Sequence, residues 1–516
     1  MLRSSKRKGS CGYEGAVEPI CQYRPCAGRL RRFLLRGIAF HSGHYFGRRL
    51  SVGVGCCFEE FFRSPEDGAS LPLAAGAVTQ PAPDRRSSRL RQSGGVSFLI
   101  KSMRAAHKTA IKKEDKPMQV KISKRMSKPD FQAEFLAGIL RAAADPSIIS
   151  FAGGLPNPVS FPVSEMDEAA DKVLKQSGVS ALQYSGSQGY EPLRRYICER
   201  YKKMMDLDFA PEDIIITNGS QQALDMFSAV MIDPGDEIMV ETPSYLAALQ
   251  TFHLYDPKVL SIPLNRDGLD VAALEKAVQE HDPKFIYVIP NFQNPTGLTY
   301  TEEVRKKVAE VLKGTNIMVL EDNPYGELRF SGQAGHSFHW FLGEQCVMLG
   351  TFSKIVSPGM RIGWIACKEP TVKEKLLAYK STMDLHTNIF CQMVLAQYLA
   401  DHDLDEHIEK TRVLYKAKAE KMHACMKKYF PDGVEYTQPE GGMFLWATMP
   451  EGIKAVDVQN RAMERGVAVC AGDPFYEEAR GVRTMRINYS NSTDEDIEKG
   501  VKILADVMRE IMAESK

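Results

Sequence analysis

A lysine, Lys354, stands in the run Thr351-Phe352-Ser353-Lys354-Ile355-Val356, and an arginine follows seven positions on in Gly359-Met360-Arg361-Ile362-Gly363-Trp364. A lysine amine condenses with an aldehyde to a Schiff base, and a guanidinium fork suits a phosphate. Pyridoxal phosphate carries both an aldehyde and a phosphate, so one cofactor would use both residues.

Further residues could serve the other parts of such a cofactor. Asn218-Gly219-Ser220-Gln221-Gln222 joins an apolar run to a helical pattern. The N-terminus of a helix offers free N–H groups to an anion, although a serine there is also an ordinary cap. Ser353 and Thr351 add hydroxyls. In Glu321-Asp322-Asn323-Pro324-Tyr325, Asp322 is either a turn aspartate before proline or a partner for a protonated ring nitrogen. Tyr325 would reach the ring oxygen. Asn294, in Asn294-Pro295-Thr296-Gly297, reads as turn chemistry or as a side chain aimed at the ligand end of a strand. Tyr245 could lie on a ring face or simply pack. Arg486, in Arg483-Thr484-Met485-Arg486-Ile487-Asn488, suits a carboxylate or a surface ion pair.

The elements that position these residues follow from periodicity. Apolar runs at 213–217, 237–240, 285–289, 317–320 and 347–350 predict buried strands. They alternate with helical patterns at 221–232 and 302–312, which predicts an α/β domain with a mainly parallel sheet. In such sheets ligands sit at the carboxyl ends of strands, where the suspect residues fall. A helix is expected over 131–144, and long amphipathic helices over 394–429 lead into a smaller α+β region.

The set Asn294-Pro295-Thr296-Gly297, Asp322 with Tyr325, Ser353-Lys354 with Arg361, and Arg486 resembles the class I/II aminotransferases of fold type I, over roughly residues 125–512. Phe151-Ala152-Gly153-Gly154-Leu155-Pro156-Asn157-Pro158 with Tyr184-Ser185 resembles the 2-aminoadipate, kynurenine and aromatic branch. The resemblance implies pyridoxal phosphate and a seven-stranded, mainly parallel sheet. It makes Lys354 the Schiff-base lysine and pairs Asp322 with the pyridinium. Asn294 and Tyr325 then bond the ring oxygen, and Tyr245 stacks on the ring. Ser220, Gln221, Ser353 and Arg361 hold the phosphate. Arg486, with Asn294 and Gly154, receives the substrate. Tyr184 reaches the cofactor of a neighbouring subunit, which implies a homodimer. The reaction implied is ping-pong transfer of an amino group from an L-amino acid to a 2-oxo acid such as 2-oxoglutarate. Where that branch often carries an arginine for acidic side chains, this chain has Ala137-Gly138, with Arg141 a turn further on.

Composition sets the remaining bounds. A chain of 516 residues predicts two or three domain-sized units. Residues 1–117 hold 22 Lys and Arg against 9 Asp and Glu, whereas the rest holds 44 against 56. A basic leader and an acidic body are not one structural unit. The leader reads as disordered sequence, a targeting peptide, or sequence upstream of a start at Met103, Met118 or Met126. The domain division expected is a leader over 1–117, an arm over 118–165 that contributes to the active site, a cofactor-binding domain over 166–384 and a small domain over 385–516. Widely spaced cysteines after the leader suit reduced thiols in the cytoplasm. No zinc-site spacing occurs, and no apolar run is long enough for a membrane span. Two rivals share the scaffold. A lyase or decarboxylase would release ammonia or CO2 instead of forming glutamate. A transcription regulator would need a helix-turn-helix domain, and the leader shows no such periodicity, so no nucleic-acid partner is expected.

Overall fold

The structure, a computed structural model, describes residues 120–127, 135, 137, 138, 141, 145–478 and 481–515. The leader over 1–117 lies outside the described residues. Of the helix expected over 131–144, the described positions Phe135, Ala137, Gly138 and Arg141 are helical.

Fourteen strands are described: β1 (Ile149–Ser150), β2 (Ile214–Thr217), β3 (Glu237–Thr242), β4 (Lys258–Asn265), β5 (Gly268–Leu269), β6 (Phe285–Val288), β7 (Met318–Asp322), β8 (Cys346–Thr351), β9 (Gly363–Ala366), β10 (Glu435–Tyr436), β11 (Phe444–Thr448), β12 (Val467–Ala468), β13 (Cys470–Ala471) and β14 (Thr484–Asn488). The large sheet runs β2-β9-β8-β7-β6-β3-β4-β5. Pairings from β8 through β7, β6 and β3 to β4 are parallel, and β9 runs antiparallel to both β2 and β8. The sheet is therefore mainly parallel, with the two-residue β5 added to the seven strands expected.

Side-chain alternation sorts this sheet into two cores. Ile214, Ile216, Met239, Ile286, Val288, Val319, Met348 and Trp364 join one apolar cluster. Ile215, Ile238, Val240, Phe285, Tyr287, Leu320, Val347 and Ile365 join the other. A sheet covered on both faces has apolar residues at consecutive positions, which is why its strands read as unbroken apolar runs. The covering helices begin on recognisable caps. Thr301 accepts a hydrogen bond from Val304 N, and Glu302 and Glu303 follow in the first turn of Glu302–Leu312, where the helix dipole favours negative charge.

The long amphipathic helices expected over 394–429 are Ile389–Asp401 and Leu404–Tyr429. Asp403 accepts from Asp405 N and starts the second helix, so a cap interrupts the apolar pattern. A second sheet, β10-β11-β14-β13, is antiparallel throughout. β1 pairs in parallel with β12, and Phe151 O accepts from Asn488 N at 2.8 Å. The Gly153-Gly154 segment is thereby tied to the strand that carries Arg486.

The reversal at β9 positions the site. Thr217 and Thr351, the last residues of β2 and β8, both pair with Gly363. The turn after β2 and the lysine loop after β8 therefore emerge side by side. A Cβ on Gly363 would lie 2.7 Å from the backbone of Gly219 and Ser220, so only glycine allows this approach. Gly363→Ala should destabilise the fold by about 2 kcal/mol through overpacking. The measurement is a lowered urea midpoint with an unchanged slope. Gly359→Ala is the control, because its Cβ would meet only Ser357 Oγ at 3.8 Å, and it should leave the midpoint in place.

Candidate active site

One cavity at the carboxyl edge of the large sheet is lined by Gly154, Ser220, Gln221, Tyr245, Asn294, Asp322, Tyr325, Ser353, Lys354, Arg361 and Arg486. These residues come from segments up to 332 positions apart in sequence, from Gly154 to Arg486. Of the residues expected to act at the cofactor, only Tyr184 is absent from the lining. It is 79% exposed and meets the His386 ring edge-on at 6.0 Å.

Lys354 is half-buried and donates from Nζ to Gly154 O at 2.9 Å. Loss of water lowers the pKa of the ammonium to about 8, and the positive charges of Arg486 and Arg361 act in the same direction. Asp322 closes β7 and is almost fully buried. Its Oδ2 accepts from Tyr287 OH at 2.9 Å. Burial pushes its pKa up to about 7, against the opposing pull of that hydrogen bond. Tyr287 and Leu320 pair across β6 and β7, and Asp322 lies two residues beyond Leu320 on the same face. Strand parity therefore delivers the tyrosine to the carboxyl group.

Arg486 leaves β14 between two aromatic rings, with Cζ 4.5 Å from the centre of Phe444 and 5.0 Å from that of Phe475. Its Nη1 donates to Asn294 Oδ1 at 2.8 Å and its Nη2 to Ala152 O at 2.7 Å. That contact fixes the Asn294 amide: its oxygen faces the arginine, and its Nδ2 donates to Tyr325 OH at 3.4 Å. Tyr245 precedes the helix Leu246–His253 and lines the cavity. Burial raises its phenol to about 12, so it is neutral at ordinary pH.

An anion cradle forms where β2 and β8 end. The helix Ser220–Met231 begins there, behind Gly219 at φ 74°. A Cβ on Gly219 would fall 2.3 Å from Arg361 Nη2, so the guanidinium lies directly against the turn. Arg361 donates to Asn218 O at 3.1 Å and to Ser353 Oγ at 3.5 Å. Its own φ of 55° lies in the left-handed region that non-glycine residues rarely adopt. The Gln221 amide donates to Thr251 Oγ1 and Ala247 O, which leaves its backbone N–H as the group for an anion.

The cavity fits pyridoxal phosphate on its own evidence. Asp322 Oδ1 is buried without a hydrogen-bond partner, an acceptor that a protonated ring nitrogen would satisfy. The cradle offers a helix N-terminus, a hydroxyl and a guanidinium to a phosphate. Arg486 Nε is likewise buried and unpartnered, beside the place for a carboxylate.

The profile of the family described as aminotransferase class I and II matches residues 157–504. The chain belongs to that family. It is 41% identical over 387 residues to the aromatic-amino-acid aminotransferase 1 of Thermococcus litoralis, covering 74% of this chain and 93% of that protein. Its fold matches a kynurenine aminotransferase of Pyrococcus horikoshii at TM-score 0.71 and 37% identity, covering 75% of this chain and 97% of that one. It also matches the alpha-aminoadipate aminotransferase LysN of Thermus thermophilus, solved with N-(5'-phosphopyridoxyl)-L-leucine, at TM-score 0.69 and 35% identity, covering 76% and 100%. This aminotransferase therefore has the fold-type I architecture and is a transaminase dependent on pyridoxal phosphate.

Three contributors were not visible in the sequence. Phe444 and Phe475 flank Arg486 from other segments, one on β11 and one in the loop before β14. Tyr287 was placed in a buried strand without a role, although the two-residue period was the signal that would have paired it with Asp322. Among the described residues no helix is long and apolar enough to cross a membrane, and no cluster of side chains suits a metal ion.

In the cofactor-free aminotransferase, Lys354 should react with an amine-selective reagent along a titration centred near pH 8, protonated and inert below and neutral and nucleophilic above. Peptide mass spectrometry reads the site. Arg486→Ala removes a positive neighbour and should move the midpoint up. A wild-type midpoint at the ordinary lysine value of 10.5 would show that the cavity does not tune this amine.

Proposed function

We propose that the enzyme moves the amino group of an aromatic or other apolar L-amino acid to 2-oxoglutarate, as a homodimer in the cytoplasm. The observation that carries the donor class is the cation inventory of the cavity. Lys354, Arg361 and Arg486 are the only cationic residues among its described lining, and each already has a role. Leu155, Tyr245 and Phe444 line the remainder. Arg141, on the helix before the Gly-Gly-Leu-Pro loop, is exposed. An acidic donor side chain would thus lack a dedicated partner, which ranks 2-aminoadipate below apolar donors; the distal carboxylate of 2-oxoglutarate meets the same lining in its own half-reaction, so the inventory selects among donors and not the acceptor.

Each residue's part follows from its surroundings. Arg486, desolvated between two rings, grips the substrate carboxylate, and Asn294 holds it in register. Bound pyridoxal phosphate supplies an aldehyde for the amino group and a protonated ring that withdraws electrons. Asp322 keeps the proton on the ring-nitrogen side of the cavity. Asn294 Nδ2 and Tyr325 OH converge where a ring oxygen would be held, and Tyr245 covers a ring face. Lys354, with its lowered pKa, would take the proton from the substrate α-carbon and deliver it two atoms away, at the carbon that carries the cofactor's aldehyde. Ser220, Gln221 N–H, Ser353 and Arg361 hold the phosphate.

The dimer rests on a surface argument. Val179, Leu182 and Tyr184 are 87%, 77% and 79% exposed, and Leu385, beside Tyr184's neighbour His386, is 46% exposed. Contiguous exposed apolar groups mark an interaction face, and a second copy would bring Tyr184 to a cofactor site. Six free cysteines among the described residues, none paired, suit a reducing compartment.

With 2-oxoglutarate as acceptor, glutamate should form fastest from phenylalanine, tyrosine or kynurenine. A higher kcat/KM for 2-aminoadipate would overturn the donor assignment. Lys354→Ala should lose on the order of 10⁴-fold in turnover, the scale of a positioned general base. Mixing Tyr184→Ala with Lys354→Ala chains tests the shared site. A hybrid dimer contains one site with both residues intact, so the mixture should exceed the summed activity of the separate variants, and a merely additive result would place Tyr184 outside the partner's site.

A further inference from the structure

Behind the anion cradle lies a charge pair that the reaction does not use, a buried lysine with a half-buried aspartate. Lys380 is fully buried near the end of the helix Pro370–Met383. Its Nζ donates to Asp384 Oδ1 at 2.7 Å and Oδ2 at 2.8 Å, to Thr387 Oγ1 at 3.0 Å and to Gln222 Oε1 at 3.2 Å. Asp384 Oδ2 also accepts from Asn218 Nδ2 at 2.9 Å and Gln222 Nε2 at 2.7 Å. Gln222 Oε1 in turn accepts from Asn218 N at 2.7 Å. The Gln222 amide has one consistent orientation, since a flip would turn its NH2 toward the ammonium and the backbone N–H.

Every link in this cluster ends on the turn that forms the cradle. Asn218 is gripped at its backbone N–H through Gln222 and at its side chain by Asp384. Its carbonyl oxygen is the one that receives Arg361 Nη2 at 3.1 Å. Thr387 Oγ1, held by Lys380, donates to Ile216 O in the strand leading into the turn. A lysine buried as completely as Lys380 costs desolvation that its pairing seldom repays in stability alone, and removing Asp384 would leave that charge uncompensated. Its retention here calls for a positional reason, and the cradle supplies one. Two or more hydrogen bonds fix the peptide that sets the depth of Arg361 and the direction of the first helical N–H groups.

We infer that Asp384 and Lys380 are positioning residues for the cofactor's phosphate, acting through Asn218 and Gln222. The inference rests on the reading that Ser220, Ser353 and Arg361 hold that phosphate. The full-length cofactor-free chain is titrated with pyridoxal phosphate and, separately, with pyridoxal, which has the same aldehyde and ring without the phosphate. The ratio of the two dissociation constants reports the phosphate's contribution alone. Asp384→Asn should weaken pyridoxal phosphate about tenfold, the scale of a charge-assisted hydrogen bond lost, and change pyridoxal less than about twofold. Lys380→Met/Asp384→Leu removes the pair without leaving a lone buried charge, so it should fold, and it should lower the ratio in the same way. An unchanged ratio in both variants, or an equal weakening of both ligands with a lowered unfolding temperature, would overturn the positioning role. Arg361→Ala separates this inference from the reading beneath it. If that variant also leaves the ratio unchanged, the cradle has been misassigned. If it collapses the ratio while the Asp384 variants do not, only the present inference fails.

Discussion

The site depends on one reversal of chain direction. Because β9 runs antiparallel between β2 and β8, the carboxyl ends of two strands distant in sequence point the same way and share Gly363 as their neighbour. Strand β2 then delivers a helix N-terminus, and β8 delivers Ser353, Lys354 and Arg361. A bulkier residue at 363 would push the two apart through backbone atoms, which have nowhere to swing. The rest of the sheet repeats the delivery in simpler form. Strand β7 ends on Asp322 itself, β6 leads to the loop of Asn294, and β3 leads to Tyr245.

Having collected these groups, the fold uses burial to tune them in opposite directions. Desolvation disfavours charge of either sign, so it lowers the amine of Lys354 and raises the carboxyl of Asp322. Two arginines reinforce the first effect, and one tyrosine hydroxyl moderates the second. The outcome is an amine and a carboxyl group that both change state in the neutral range, where proton transfer is most effective. Glu241 is a structural counterpart at the end of β3. Burial pushes it to about 7 as well, but Tyr300, Gln293 and Ile289 N satisfy both its oxygens, so it braces the Asn294 loop instead of facing a ligand.

Much of this was legible in the sequence, for identifiable reasons. Strands buried on both faces announce themselves as short apolar runs, and residues just beyond them fall at the ligand edge without further knowledge. Asp322 and Asn294 were singled out by that position, Lys354 and Arg361 first by their types and seven-residue spacing, and all four line one cavity. The antiparallel β9 was not legible, because Gly363-Trp364-Ile365-Ala366 is a short run with glycine at its start, and the turn residues Pro358-Gly359 before it do not tell a reversal from another crossover. β4 was missed as well: it contains Pro263 and has only the two-residue β5 on one side, so its exposed positions dilute the apolar pattern. The cap at Asp403 hid inside an amphipathic run. Phe444, Phe475 and the Asp384–Lys380 pair carry no local signature, since their meaning lies in contacts made across the chain.

The Lys380–Asp384 pair links the cradle to the surface. Asp384 opens the connection from the helix Pro370–Met383 to the helix Ile389–Asp401, and Thr387, near its end, is held by Lys380 and Ile216. With both ends pinned, the segment between them has little freedom: Leu385 takes φ 63°, and His386 N bonds Asp384 O at 2.7 Å. That geometry turns His386 outward against Tyr184. A residue pair placed to steady Asn218 therefore also steadies the exposed edge on which Tyr184 stands. In a shared-site dimer, the two ends of one short connection would serve two cofactors, bracing the phosphate of its own subunit and supporting the tyrosine offered to the other.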